Sequence, residues 1–187
     1  MRLQYKTMPT QTHAVTAEEL EEISKTEFCE LVNGELRIMV PPNDEHGTIT
    51  VNVGTLLWSH VRKHRLGRVY AETGYRLTRD PDTVLGPDVS FIRQERVPAK
   101  PYRTFPPMVP DLVVEVVSPT DRVKDVGDKT EQWLAFGAAM VWVVWPNTRT
   151  IAVHRAGQPV VHLRDGDRLE GGDVVEGFAC EVSEVFE

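Results

Sequence analysis

The segment 111–121, with the sequence DLVVEVVSPTD, constrains the fold more than any other part of the chain. Its apolar residues are mostly β-branched and predict a strand buried on both faces: Leu112, Val113, Val114, Val116 and Val117. Glu115 stands in the middle of this run. Because an unpaired carboxylate in such a place costs on the order of several kcal/mol, the sequence predicts a partner for Glu115. That partner is either a bound cation or a structural arginine, for which Arg76 and Arg122 are candidates.

The length and composition are typical of a soluble globular protein. The chain has 187 residues, of which 41% are hydrophobic and 26% charged, and this favours a single domain over 1–187. No apolar run approaches the roughly 20 residues of a membrane helix, and the N-terminal MRLQYKTMPTQTH lacks the apolar core of a signal peptide. Cys29 and Cys180 form no metal-binding pattern, which predicts reduced thiols in the cytoplasm.

The charge is distributed unevenly along the chain. The net charge of −7 argues against a broadly basic nucleic-acid-binding protein. Residues 1–47 and 156–187 carry net charges of −5 and −6, whereas residues 48–155 carry +4. This basic middle region contains the Glu115 strand, and it either faces a phosphate backbone or is ordinary solvated charge.

Local signals in the first third predict a short helix, a hairpin and a long helix. A Thr-x-x-Glu capping box at 16–19 opens the first helix, and Asn-Gly at 33–34 between two apolar runs predicts a type I′ hairpin. Apolar residues recur at helical spacing over 49–64, and Gly67 is expected to end that helix.

The rest of the chain alternates predicted strands with one helix. The elements are a strand or bent pair of strands over 68–77, a strand over 86–92, a proline-rich loop over 93–110, the Glu115 strand, a helix capped by Asp121 and closed by Gly137, and strands over 139–145 and 150–155. After the early helix and hairpin, this order predicts an α/β or α+β fold with a mixed β-sheet flanked by helices.

Three residues in this frame indicate chemistry. Asp88 follows Pro87 at the start of an apolar strand, so its carboxylate and that of Glu115 converge if the two strands are neighbours. Two adjacent carboxylates ionise together only with a cation between them, and their oxygens favour Mg²⁺ or Mn²⁺. Lys129, on the helix that leaves the Glu115 strand, could orient a metal-bound water. This set suits metal-dependent hydrolysis of phosphodiesters.

The order of these motifs resembles the Uma2 family, also called DUF820, within the PD-(D/E)XK nuclease superfamily. Pro87-Asp88 and Glu115-Val116-Val117 resemble the core of the superfamily, and the ending EGGDVVEGFACEVSEVF resembles that of the family. The other matching segments lie between about 28 and 155: CELVNGEL, PPNDEHGTI, ETGYRL, GPDVSFI, PDLVVEVVSPTDR, DKTEQWLAFG, VWVVWP and RTIAVHR.

The resemblance implies a restriction-endonuclease-like fold for a single domain over 1–187, with its core at about 28–155. It assigns Asp88 and Glu115 as metal ligands and Lys129 as the catalytic lysine. One Mg²⁺ or Mn²⁺ would then be held by these two carboxylates, with the Val116 backbone carbonyl and waters completing its shell.

The chain departs from the superfamily pattern at two positions. Val117 stands where the superfamily usually has its lysine, and the resemblance carries that role to the following helix, where Lys124 is a rival to Lys129. Trp145 stands where the family often has an aspartate, a change that has no functional interpretation.

Further polar residues are weaker candidates for the site. Glu72 and Glu30 are additional metal ligands that the sequence leaves open, and His46 has either a capping or a DNA-facing role at the start of the long helix. His60 and His64 have the i, i+4 spacing of a zinc pair. Because no third ligand accompanies them, their position on an apolar face favours packing instead.

The sequence therefore predicts a metal-dependent endonuclease that hydrolyses phosphodiester bonds, with DNA as its substrate by resemblance. The alternative from another class is a catalytically degenerate nuclease-fold module for DNA binding or assembly, which Val117 and the acidic net charge leave open. A third option is a phosphoesterase that acts on a small nucleotide. A homodimer is expected because two copies most simply cut both strands of a duplex, and the basic residues of the loop 93–110 are candidate DNA contacts.

Overall fold

The computed structural model of the protein describes residues 13–187. The prediction that no signal peptide is present concerns residues 1–13. Of these, only His13 lies within the described range. Two compact units form: the first contains 13–41, 74–86 and 100–109, and the second contains 42–73, 87–99 and 110–187. The single domain over 1–187 stays a prediction.

The helices and strands follow one another in this order: α1 (Ala17–Ile23), β1 (Cys29–Val32), β2 (Glu35–Ile38), α2 (Asp44–His64), β3 (Gly67–Ala71), β4 (Tyr75–Thr78), β5 (Thr83–Leu85), β6 (Val89–Arg93), β7 (Leu112–Val116), α3 (Val123–Phe136), β8 (Met140–Trp145), β9 (Thr150–His154), β10 (Val161–Arg164), β11 (Arg168–Glu170), β12 (Ala179–Glu181) and α4 (Val182–Val185). This mixture of sheets and flanking helices confirms the predicted fold class. No helix within residues 13–187 is both long and apolar enough to cross a membrane.

The first unit is built on a four-stranded antiparallel sheet in the order β2-β1-β5-β4. Its two local predictions are confirmed. The Thr16 side chain and Glu19 form a reciprocal capping box at the start of α1. Asn33 and Gly34, which join β1 to β2, have φ angles of 50° and 77°, as a type I′ turn requires.

A buried ion pair holds together distant parts of this first unit. Asp82 accepts hydrogen bonds from the Ala17 N–H at 2.7 Å and from the Arg76 guanidinium at 2.7 Å. Burial raises the pKa of Asp82, but the hydrogen bonds from Ala17 and Arg76 lower it by more, so that its pKa lies below the ordinary 3.8. Asp82 therefore stabilises the fold as an anion.

The second unit is built on a six-stranded sheet in the order β10-β9-β8-β7-β6-β3. Only the central pair, β7 and β8, is parallel, and the other neighbours are antiparallel. The two central strands are apolar along nearly their whole length because both faces are covered. One stripe of α2 packs in this core, and its buried residues are Ile49, Val53, Leu57 and Val61.

Two predicted helix ends are wrong. Helix α2 ends at His64 because Arg65, not Gly67, adopts the left-handed conformation, with a φ of 58°. Helix α3 has Arg122 at its N-cap without a side-chain bond, since the Asp121 carboxylate instead accepts a hydrogen bond from the Ser118 N–H at 2.8 Å. Gly137 closes α3 as predicted, with a φ of 108°.

Gly67 has a different role, at the start of β3. Its φ is 152°, and a Cβ atom there would overlap the carbonyl oxygen of Ile92 on the neighbouring strand β6. Both the backbone conformation and the close approach of β6 therefore require glycine at this position.

We expect Gly67→Ala to lower the free energy of unfolding by at least about 2 kcal/mol, because the new methyl group strains the β3–β6 pair. Gly127→Ala is the matched control: Gly127 lies inside α3 with no atom near its added Cβ, so alanine should stabilise the protein by about 0.5–1 kcal/mol. Urea unfolding of both variants measures the effects. Equal stability of the two variants would contradict this account of Gly67.

We expect Asp82→Asn to lower the free energy of unfolding at pH 7 by about 2–3 kcal/mol, the scale of hydrogen bonds to a charged group. The contribution of Asp82 is complete above its unfolded pKa of about 3.8 and is lost as the pH falls through the lower folded pKa. The difference from wild type should therefore be constant between pH 7 and 5 and shrink below about pH 4. The exposed pair of Asp165 with Arg149 supplies the control, Asp165→Asn, which should change stability by less than about 1 kcal/mol.

Candidate active site

The sheet brings the two predicted carboxylates to one end of neighbouring strands. Strands β6 and β7 are antiparallel neighbours, and Val89 is paired with Val114. The next residues outward are Asp88, just before β6 begins, and Glu115, still inside β7. Their side chains are 18% and 12% exposed, so both lie largely inside the protein but within reach of solvent.

Both carboxylate oxygens of Asp88 are held by the protein. Oδ2 accepts a hydrogen bond from the Val116 N–H of β7 at 2.6 Å, and Oδ1 lies 3.2 Å from Nε2 of His46 at the start of α2. The backbone is held as well, because the Glu72 N–H donates to the Asp88 carbonyl at 3.1 Å. Asp88 thus links β7, α2 and the end of β3.

Glu115 finds its partners on α3, the helix that follows its own strand. The indole N–H of Trp133 donates to Oε1 at 2.7 Å, and the Lys129 ammonium lies 2.9 Å from Oε2. Residues four apart lie on the same face of a helix, so this face of α3 presents a cation and a neutral donor together. The carboxylate in this apolar strand therefore has partners within the chain, and the ion pairs described for Arg76 are with Asp82 and Glu18.

His46 is the site residue whose position the sequence did not reveal. Its ring is 8% exposed and turned toward Asp88. Burial lowers the pKa of His46, but the hydrogen bond and charge of Asp88 raise it by more, and the Val116 backbone and the Asp121 charge act in the same direction. The pKa of His46 therefore lies above its ordinary value. The Asn43 cap, which accepts from the His46 N–H, signals the helix start but not the inward direction of the ring.

The structure separates the two candidate lysines. Lys124 pairs with Asp128 one turn along the exposed face of α3, whereas Lys129 contacts Glu115. Val117, at the usual lysine position of the superfamily, is buried and continues the pairing with β8 through its N–H to the Val144 carbonyl. Of these three positions, Lys129 is the one at which a cation contacts Glu115.

The contacts described for the two additional candidate ligands, Glu72 and Glu30, are of other kinds. Glu72 has an exposed side chain and a φ of 46°, and its link to Asp88 is the backbone bond. Glu30 belongs to the first unit, where its Oε1 accepts a hydrogen bond from the Gly86 N–H at 2.8 Å. Within residues 13–187, no group of three His, Cys, Asp or Glu side chains is arranged to hold a metal ion.

The predicted packing role of the two helical histidines agrees with their contacts. The rings of His60 and His64 lie 4.6 Å apart, and His60 Nε2 lies 2.9 Å from the Glu176 carbonyl oxygen. His60 also meets the ring of Phe178 edge-on. These contacts join α2 to the C-terminal part of the second unit.

We expect Trp133→Phe to destabilise the protein more than Trp142→Phe, by about 1–2 kcal/mol, because it removes a hydrogen bond to a charged group. Both indoles are fully buried, but Trp142 donates to the Met140 sulfur, a weak acceptor. Urea unfolding measures the difference. The stability difference between the two variants should become smaller in a Glu115→Gln background, because the acceptor of the Trp133 N–H is then neutral. If the difference is unchanged in that background, the Trp133–Glu115 hydrogen bond is not its cause.

Comparison with known proteins identifies a matching family and a similar solved structure. A family model for Uma2, described as "Putative restriction endonuclease", matches residues 17–183. A crystal structure described as a putative nuclease belonging to DUF820, from Anabaena variabilis, superimposes with a TM-score of 0.80 at 20% sequence identity, and the match covers 92% of this chain and 97% of the other. At that identity the likeness shows the fold alone. No curated protein gives a significant match.

The family match covers most of the chain, including α1, all three sheets, Asp88 and Glu115. It confirms the resemblance found in the order of the sequence motifs. The chain belongs to the Uma2 family.

Proposed function

We propose that the protein is a metal-dependent endonuclease that hydrolyses phosphodiester bonds in DNA. The observation that carries the proposal is the meeting of Asp88 and Glu115 at one end of two paired strands, with the Lys129 ammonium 2.9 Å from Glu115. Membership of a family described as restriction endonucleases supports the same reaction class.

The chemistry of the donor set fits a hard divalent cation. Asp88 and Glu115 supply carboxylate oxygens and the Val116 backbone supplies a carbonyl, which are the ligand types that Mg²⁺ and Mn²⁺ prefer. Within residues 13–187, no set of three His, Cys, Asp or Glu side chains is already arranged around one metal position. A site with two carboxylates suits Mg²⁺ in particular, because that ion keeps several of its waters. Glu72 remains the candidate for a further ligand.

The roles of the residues follow from their chemistry. Asp88, Glu115 and the Val116 carbonyl would hold the cation, which when bound lowers the pKa of water and offsets negative charge on a phosphoryl oxygen. Lys129 would hold the attacking water and the non-bridging phosphate oxygens by hydrogen bonds from its ammonium. The Trp133 N–H keeps Glu115 in place while Lys129 makes these contacts. Hydrolysis adds the water oxygen to phosphorus and releases one ester oxygen with a proton.

The finer parts of the proposal concern substrate, assembly and location. DNA is the substrate suggested by the description of the family, and a two-fold dimer is the simplest way to cut both strands. Cys29 and Cys180 are both free, which supports a reducing compartment such as the cytoplasm.

A second candidate function is a nuclease-fold module that binds DNA without cutting it. It is favoured by the internal partners of both carboxylates, since His46 and Lys129 lie 3.2 Å and 2.9 Å from their oxygens, and by the buried Val117 at the usual lysine position. This candidate predicts DNA binding that weakens with salt and does not change when Asp88 and Glu115 are replaced.

We expect Mn²⁺ to bind wild-type protein and to show no detectable binding to the Asp88→Asn/Glu115→Gln double variant, because the two carboxylates supply the charge that holds the ion. Isothermal calorimetry measures this without knowledge of the substrate. The control is Asp128→Asn/Glu131→Gln, which removes the same charge from exposed positions of α3 and should bind Mn²⁺ as wild type does.

Cleavage of plasmid and linear DNA then separates the two functions. The double variant and Lys129→Met should each lose at least about 100-fold in cleavage rate while their urea unfolding remains cooperative. Equal Mn²⁺ binding by the double variant and wild type would contradict the metal assignment and favour the DNA-binding module. Hydrolysis of small nucleotides but not of DNA would instead identify a phosphoesterase.

A further inference from the structure

His46 is buried in the first turn of α2, and its ring contacts the Asp88 carboxylate. It is the third residue of α2, and its backbone N–H is used by the Asn43 cap. Only 8% of its side chain is exposed. The partner of the ring at this position is Asp88, whose Oδ1 lies 3.2 Å from Nε2.

The geometry around Asp88 shows what the ring does. The Val116 N–H fixes one carboxylate oxygen from β7, and His46 Nε2 fixes the other from α2. Without such donors, a carboxylate group adopts a wide range of angles about its last side-chain torsion, because the energy minima of that torsion are broad. Two donors on opposite oxygens leave one orientation. Because a carboxylate oxygen has two lone pairs, Oδ1 can accept from His46 and still bind another partner.

The other ring nitrogen has a much weaker contact. Thr50, one turn further along α2, has its hydroxyl oxygen 3.5 Å from Nδ1, at the outer limit for a hydrogen bond. The ring is therefore oriented by packing, by Asp88 and by a hydrogen bond with the Val116 backbone, with Nε2 as its donor to the carboxylate.

We propose that His46 is a positioning residue for Asp88: by holding Oδ1 while Val116 holds Oδ2, it aims the carboxylate at the cation and thereby sets the metal affinity of the site. This inference rests on the proposed function. Hydrogen-bond partners of metal-ligating carboxylates typically contribute 10–100-fold to metal affinity. Nothing in the role requires His46 to touch the substrate.

The test is Mn²⁺ calorimetry on His46→Leu and His46→Gln. We expect His46→Leu to raise the Kd for Mn²⁺ by about 10–100-fold, because Asp88 loses the donor that orients it. His46→Gln should stay within about threefold of wild type, since the Gln amide N–H can replace Nε2–H. If His46→Gln keeps the Mn²⁺ affinity that His46→Leu loses, the N–H donor of residue 46 is responsible for that affinity, and not the volume of its side chain.

Two control variants exclude a general effect of weakened structure. Val53→Ala opens a cavity in the same helix, where Val53 is 1% exposed, and should lower stability by about 1–3 kcal/mol without changing the Kd for Mn²⁺. Thr50→Val removes the contact to Nδ1 and should also leave the Kd unchanged. If His46→Leu does not fold, His46→Ala removes the same donor without added branching and is judged by the same criterion.

The outcomes separate this inference from the proposed function. If wild type binds Mn²⁺ through Asp88 and Glu115 but folded His46→Leu binds it equally well, the positioning role is overturned and the metal site stands. If His46→Gln is as weak as His46→Leu, the role of the N–H donor is overturned in the same way. If wild type itself shows no binding that depends on the two carboxylates, both the proposed function and the role of His46 are overturned.

Discussion

The partly buried ion pair of Glu115 with Lys129 is the interaction on which the candidate site depends. A carboxylate inside the central strand of a sheet is stable only with a partner that compensates its lost hydration. Here that partner comes from the helix that follows the same strand, and the Trp133 N–H supplies a second bond. The pair therefore ties α3 to β7, and the proposed active site is also part of the packing of the second unit.

Asp88 repeats this arrangement with the other long helix. Its oxygens are held by the Val116 N–H and by His46, so α2 supports one carboxylate of the site and α3 supports the other. Groups that are fixed before substrate arrives need no reorganisation during the reaction. The internal donors have a second consequence, because both carboxylates already have hydrogen-bond or ion-pair partners in the protein without an added cation. The same contacts thus fit an active enzyme and a binding module, and metal affinity distinguishes these two functions.

Much of the fold could be predicted from the sequence because its signals were local. The capping box at 16–19, the Asn-Gly turn and the apolar runs of β7 and β8 each encode their own backbone conformation. The errors arose where a second residue competed for the same role. Arg65 took the left-handed position expected of Gly67, and the Asp121 carboxylate bonded to the Ser118 N–H instead of capping α3. The sequence predicts one strand or a bent pair of strands over 68–77. The structure has two strands there, β3 in the six-stranded sheet and β4 in the four-stranded sheet.

By itself, the sequence determined most of the helices and strands, the family, and the positions of Asp88 and Glu115 at one strand's start and inside another, because dihedral preference, periodicity and motif order are properties of nearby residues. Only the tertiary structure decided that Lys129 rather than Lys124 meets Glu115, and that His46 turns inward to Asp88. These choices depend on which face of a helix packs on the sheet and on the register between strands far apart in the chain. Such contacts are fixed by the burial of the whole core, and no single segment encodes them.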